Sequence, residues 1–523
     1  MSESLGSKIR RNTRASLVAF AIGQVLNLVR MLVLFQFLTP GAYALWIFAF
    51  SVTSYFVIYQ FGISIAFVKY TAEYDAKKDY DGLSALLSTG TAIALLMAAG
   101  VAAVLLLFTD EAVRFFNFSP DNADEARFVL IGVGLVSAFS IAANVYPAVL
   151  TGIQRLDIVN YSRVIMLAAE LVLTFAFLYF GFGLRAVLLV YAGGIVGSAL
   201  IAAVFTRRLV PELRLSPLNV HWDSARSMLN LGGKMQALGI VAMIVSTLDI
   251  VVFMKLGSET LVGFYAIAQR VAQRAQGIAR QGFGALAPAS AQLFAEEDRE
   301  KLARVYDTAQ RFTALISAGV FAYLATNPEF VMRFIMDEKY NELSVWLLRW
   351  IAIGNGIHAL TGPGSSMLRG AGHPMREIIY QLLIIVCFAA ALLPFARGGF
   401  PAPEELPREV FAAWPLALAA ASLVFVLMGN RFFRVPLLSP FNRMLLPIGA
   451  AVLLGWGVNA GWYAAGLDAP MGRWTALGAV ALTGGVYGLG LAAASWMLPG
   501  LTESDRDQLR RFLPARISRL LPG

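Results

Sequence analysis

Runs of about 20 apolar residues recur along this chain, and about 20 is the number a helix needs to cross the hydrocarbon core of a bilayer. Fourteen such runs can be read, at 15–38, 43–68, 83–108, 127–150, 159–181, 184–206, 231–254, 260–283, 308–326, 344–368, 376–396, 409–428, 443–466 and 473–497. That core holds no water to satisfy backbone N–H and C=O groups, so each run must pair them internally as a helix. The pattern predicts an all-α polytopic membrane protein. Composition agrees: 58% of the 523 residues are hydrophobic and 14% are charged, against about 25% charged in soluble globular chains, and mean hydropathy is +0.66. The single cysteine, Cys387, excludes a disulfide framework or a cysteine-based metal site, and no metal or cofactor is expected.

A formal charge of +9 could mark a nucleic-acid partner, but here the basic residues flank the apolar runs, which is the signature of topology. An even number of spans puts both termini on one side. That side carries about 26 Lys and Arg against about 9 on the other, so both termini are expected to be cytoplasmic. After Lys8, Arg10, Arg11 and Arg14 the apolar stretch continues to Leu38, too long for a cleavable signal peptide. The loops are short, which argues against a membrane enzyme that works in a large extramembrane loop. HExxH, Gly-x-Ser-x-Gly and P-loop motifs are missing. Residues 215–230 read as a surface helix leading into the seventh span. The tail 499–523 alternates leucines with Arg510, Arg511, Arg516 and Arg519 and reads as a basic amphipathic segment on an anionic leaflet.

One span departs from the apolar pattern. In TLVGFYAIAQRVAQRAQGIARQGFG (260–284), Gln269, Arg270, Gln273, Arg274, Gln276, Gly277, Arg280 and Gln281 share one face at about 100° per residue. An arginine exposed to lipid near the bilayer centre costs roughly 2.5–3.5 kcal/mol. The stripe is therefore expected to face a wet interior. The alternatives are an amphipathic helix on the membrane surface or a soluble helix between spans.

The chain also carries a faint internal repeat. A shift of 219 residues lays 71–83 over 290–302, matching Ala72/Ala291, Ala76/Ala295, Asp79/Asp298 and Leu83/Leu302. It superposes the first span on the seventh and the second on the eighth in the same orientation, as in a parallel repeat with a substrate site between its halves. The expected organisation is two six-helix lobes, 1–214 and 215–436, then two additional spans within 437–498 and the tail 499–523. The shift pairs Arg30 with Asp249, Ser51 with Arg270 and Tyr55 with Arg274.

At this point the residues resemble a known family. LTPGAYALWIFAFSV (38–52) followed by FGISIAFVKYTAEY (61–74) is similar to the N-terminal signature of bacterial polysaccharide-export flippases. These belong to the multidrug/oligosaccharidyl-lipid/polysaccharide exporter superfamily. LGSETLVGFYAIAQRV (256–271), LTGIQRLD (150–157) and W-x-x-A-R-x-M-L-N-L-G (222–232) resemble later landmarks, and Ala44 stands where the pattern usually has glycine. The resemblance implies an undecaprenyl-pyrophosphate-linked oligosaccharide repeat unit as cargo, for O-antigen, capsule or exopolysaccharide synthesis, moved by alternating access across the bacterial inner membrane. It also implies a polysaccharide polymerase and a chain-length regulator as candidate partners, and no nucleic acid. The rivals are a small-molecule exporter of the same superfamily, a membrane glycan polymerase or ligase, and an assembly partner without transport.

Arg30, Arg270 and Arg274, with Gln273 and Tyr55, are the candidate substrate-binding residues, since a guanidinium fork suits phosphate oxygens. Asp249 and Glu170 lie inside spans as candidate coupling acids or counter-charges; Asp249 is the expected partner of Arg30, and Glu170 shows none. His358 is expected to make a packing hydrogen bond, 362–372 to be a flexible hinge, and Gly193 with Gly197 to pack helices. The last two spans are expected to flank the polyprenyl tail, so that deleting them spares folding but abolishes transport.

Overall fold

The computed structural model describes residues 5–54, 63–116, 118, 120–280, 286, 290, 293–294, 296–373, 375–396, 400–436, 439–466 and 472–497. All the regular structure among them is helical. Nine of the described helices are long and apolar enough to cross a membrane, ten if one bent pair is counted as a single span. The protein is an all-α, multi-pass membrane protein. Lipid-facing positions are the exposed large apolar residues, such as Leu96, Leu107, Val172, Leu189 and Leu489. The tail 498–523 and the middle of the second predicted span, with Tyr55 and Tyr59, lie outside the described residues.

Two compact units divide the chain, residues 1–263 and 264–523. The first holds α1 (Leu5–Phe37), α2 (Pro40–Ser54), α3 (Ile63–Lys77), α4 (Tyr80–Phe115), α5 (Pro120–Ala143), α6 (Val145–Gly152), α7 (Leu156–Tyr179), α8 (Gly183–Leu209) and α9 (Trp222–Leu256). Here α1 packs on α7, α7 on α8 and α4 on α5, and α9 lies against α2, α3 and α4. Phe67, Leu87, Val101, Val149 and Met228 form part of its core. The surface helix expected before the seventh span is the first part of α9, which continues without a break into that span.

α10 (Glu259–Arg280) begins in the first unit and passes into the second at Phe264. It is followed by α11 (Arg299–Ser317), a π-helical turn at Ala318–Ala322, α12 (Tyr323–Thr326), α13 (Pro328–Met336), α14 (Glu342–Ala359), α15 (Gly362–Gly370), α16 (Met375–Ala396), α17 (Ala413–Phe432), α18 (Ser439–Ala464) and α19 (Arg473–Met497).

Prolines break two of the predicted spans, and a third proline starts a separate helix just past the end of another. A proline inside a helix clashes with the carbonyl four residues earlier and cannot donate a hydrogen bond. Pro147 ends α5 at Ala143, Pro363 ends α14 at Ala359, and Pro328 starts α13 at a bend of 72° from the helix before it. α13 itself lies in the loop left between the runs 308–326 and 344–368. The glycine-rich 362–372 is not a flexible hinge: its first nine residues form α15, with Pro363, Gly364, Met367 and Leu368 buried.

The repeat survives in backbone detail. Lys78 and Glu297, 219 apart, both sit at φ 56°, each just before an aspartate that caps the next helix. Asp79 accepts from Gly82 N at 2.8 Å, and Asp298 accepts from Lys301 N at 2.9 Å. Thr39 and Ser258 match in the same way, accepting from Ala42 N at 3.1 Å and Leu261 N at 3.5 Å. Further on, with the register shifted by one, α6 and α15 end in the same bond, Arg155 N to Leu150 O and His373 N to Leu368 O, both 2.8 Å. These are local matches at, or one residue from, the offset expected of the repeat.

At the start of α10 the backbone comes close to α2. A Cβ on Gly263 would lie 2.2 Å from the Pro40 carbonyl oxygen, an atom that no side-chain rotation can move away. Gly263→Ala is expected to cost about 2–3 kcal/mol or more. Thermal unfolding in nanodiscs checks this, and an unchanged midpoint would contradict the close approach.

α18 and α19 are built into the second unit. Tyr487 Oη donates to the Ala318 carbonyl at 3.1 Å, at the π-helical turn. Asn327 Nδ2 donates to Gly455 O at 3.1 Å, and Tyr323 Oη meets Thr483 Oγ1 at 2.8 Å. Removing these helices would leave buried polar groups without partners, each costing about 1–3 kcal/mol. The expectation that their deletion spares folding is therefore withdrawn.

Candidate functional site

α10 is strongly amphipathic, and most of its side chains are buried or half-buried. Tyr265, Ile267, Gln269, Ala272 and Gln276 are buried, and Arg270, Gln273 and Arg274 are half-buried. From Leu261 to Gly277 no residue of α10 is exposed, which favours an interior stripe over a helix lying on the membrane surface. Arg270 Nη1 donates to Gln273 Oε1 at 3.4 Å, one turn along the helix. Tyr265 packs against Phe411 at 5.6 Å between ring centroids. The side chain of Arg280 lies outside the described residues.

A second cluster lies in the first unit. Arg30 on α1 donates through Nη1 to Glu170 Oε2 on α7 at 3.1 Å, with the two side chains 15% and 12% exposed. Its guanidinium carbon also lies 5.9 Å from the centre of the Tyr191 ring on α8, within cation–π range. Tyr191 is edge-packed by Phe50 and Trp46 of α2, at 5.0 and 6.1 Å. Glu170, which shows no partner in sequence, is thus the counter-charge of Arg30, in the place expected of Asp249. Asp249 is buried on α9 at 1% exposure.

Glycine lets this cluster form. A Cβ on Gly194 would lie 1.8 Å from Glu170 Oε1, and one on Gly197 would lie 2.5 Å from Met166 Sδ. The pair that allows α8 to approach α7 is therefore Gly194 and Gly197. Gly193, expected in that role, meets nothing within 4 Å.

Sequence reasoning missed a buried polar network on α11. Arg311, 4% exposed, pairs with Asp307 and donates to Thr308 Oγ1 at 3.2 Å. Gln310 donates to Tyr306 Oη at 2.8 Å, and Tyr306 donates to Asn430 Oδ1 at 3.0 Å. The spacing of Asp307 and Arg311, four apart at a span end, was the available signal. His358 makes the expected packing bonds, with Nδ1 2.6 Å from Tyr380 Oη and 3.3 Å from Ser422 Oγ, joining α14, α16 and α17.

A family model described as a polysaccharide biosynthesis protein matches residues 29–345. The chain belongs to that family. No curated protein matches the sequence. Among solved structures, the lipid II flippase MurJ in an inward closed conformation superposes with a TM-score of 0.67 at 14% identity, covering 92% of this chain and 98% of that one. An inward-facing multidrug resistance MATE family transporter of the MOP superfamily gives 0.65 at 16% identity, covering 79% and 94%. A MOP superfamily transporter from Pyrococcus furiosus, described by the reverse polarity of its binding pocket, gives 0.55 at 14% identity, covering 82% and 96%. At such identities the likeness is one of fold: this member of the polysaccharide biosynthesis family has the fold of a transporter superfamily, and its structural neighbours are transporters and a flippase, not enzymes.

Proposed function

We propose that this chain is a flippase that carries an undecaprenyl-pyrophosphate-linked oligosaccharide repeat unit from the cytoplasmic to the outer leaflet of the bacterial inner membrane by alternating access. Fourteen spans, in two six-helix lobes plus the added pair, and both termini in the cytoplasm complete the reading. The observation that carries it is the inward-turned stripe of α10. In the repeat, Arg270 falls on Ser51, whose hydroxyl donates to Ile47 O of its own helix, 3.0 Å away. The equivalent stretch 40–62 contains no Lys or Arg, which supports a role in cargo binding for the arginines of α10.

A pyrophosphate offers the oxygens that guanidinium forks bind. Arg30, Arg270, Arg274, Gln273 and Tyr55 are the proposed ligands, and Glu170 and Asp249 the proposed coupling or counter-charge acids. The polyprenyl tail has a fitting surface in an apolar groove of about 920 Å³ between α18 and α19, lined by Leu453, Gly457, Val458, Trp462, Leu482 and Val486. That one of the structural neighbours is a lipid II flippase supports a lipid-linked cargo.

The test is transbilayer movement of an undecaprenyl-pyrophosphate oligosaccharide in proteoliposomes. Protein-dependent movement of that lipid is expected, without movement of a small cationic dye. The opposite pattern would replace the proposal by the small-molecule exporter.

A further inference from the structure

The polar side chains of α10 fall into two groups around the helix. At about 100° per residue, Gln269 and Gln276 stand within about 20° of each other, and Arg270 and Arg274 lie about 100–140° further round. The two glutamines are the more deeply buried, at 7% and 6% exposure, across the helix from the half-buried Phe264 and Val271. Seven residues separate them, about 10 Å along the axis.

Their hydrogen bonding sets them apart. Gln273 is engaged by Arg270, whereas among the described residues Gln269 Oε1 and Gln276 Nε2 have no hydrogen-bond partner. Buried polar atoms are ordinarily paired. One edge of α10 therefore holds an unpaired acceptor and an unpaired donor, both uncharged. Both are enclosed in this state, so a ligand reaches them when alternating access opens that face. The repeat shows that the fold does not require them: Gln269 falls on Phe50, whose ring packs against Trp46 at 4.9 Å.

We infer that Gln269 and Gln276 read the hydroxyl groups of a neutral sugar in the lipid-linked cargo, as specificity residues distinct from the anion-binding arginines. This rests on the flippase reading above. A pyrophosphate at neutral pH has acceptors and no donor to offer Gln269 Oε1, so that atom discriminates against it. A sugar hydroxyl donates and accepts at once, and neighbouring hydroxyls can satisfy both amides. The spacing of the glutamines exceeds one sugar ring, so the pair contacts two positions along a glycan. A site built on buried hydrogen bonds rejects a ligand that cannot make them, because its own groups then stay unpaired.

Two probes separate this role from anion binding: an undecaprenyl-pyrophosphate-linked glucose disaccharide and sugar-free undecaprenyl pyrophosphate, each titrated against the full chain in nanodiscs. Gln269→Leu/Gln276→Leu is expected to weaken binding of the sugar-bearing probe by about 10–100-fold and to change the sugar-free one by less than about twofold. Equal loss with both probes, or no loss with either, overturns the assignment and leaves the cargo reading standing. Wild type that binds neither probe overturns the cargo reading and this inference with it. Should the double variant fail to fold, Gln276→Met, close in volume, is read against the same two probes with the same outcomes.

Discussion

Arg30→Leu and Glu170→Leu, made singly, are each expected to destabilise the protein by about 3–5 kcal/mol, and the double variant to recover most of that loss. The asymmetry follows from burial. The two side chains meet at 3.1 Å and are 15% and 12% exposed, so removing either leaves a charge with little water to accept it. Replacing both with apolar groups removes the desolvation cost along with the attraction. Tyr191 supplements the pair through its ring face, 5.9 Å from the Arg30 guanidinium, and would hold a lone Arg30 better than α7 and α8 could hold a lone Glu170. The Glu170 single variant should accordingly be the milder one.

A double-mutant cycle on thermal unfolding in nanodiscs measures the coupling, and simple additivity would show that the pair does not interact. Transport in the same variants separates the roles proposed for Glu170. If it only neutralises Arg30, the double apolar variant keeps any activity that does not need Arg30. If it couples transport to a proton, Glu170→Gln abolishes the pH dependence of the rate even where the fold is intact.

The sequence made the membrane class readable because lipid imposes one rule on every span, and a run of about 20 apolar residues satisfies it without regard to tertiary contacts. The stripe on α10 was readable for the same reason, since arginine on a spanning helix has few places to go. What stayed hidden depended on neighbours. Arg30 and Glu170 are 140 residues apart, and no periodicity points from one to the other. The breaks after Ala143 and Ala359 were written in Pro147 and Pro363, but averaging hydropathy along a span passes over a single proline. Gly194 is the clearest case: next to Gly193 in sequence it is indistinguishable from it, and only the approach of Glu170 tells them apart.

The α10 arginines carry the largest expected effect on transport. Arg270→Ala/Arg274→Ala is expected to slow movement of the lipid-linked oligosaccharide by about two to four powers of ten, because each charge-assisted bond contributes about 1.5–3 kcal/mol. Arg270 is held along α10 by its bond to Gln273, so its guanidinium is oriented before cargo arrives. Half-buried rather than sealed, both arginines can meet a ligand without unfolding the helix that bears them. Lysine at both positions keeps the charge but loses the planar fork, so an intermediate rate is expected, about tenfold below wild type. Initial rates in proteoliposomes, normalised to folded protein, give the ranking Arg above Lys above Ala. Equal rates for all three would remove the anion site from α10. A lysine variant as slow as alanine would show that recognition depends on bidentate geometry more than on charge, and a lysine variant as fast as wild type would show the reverse.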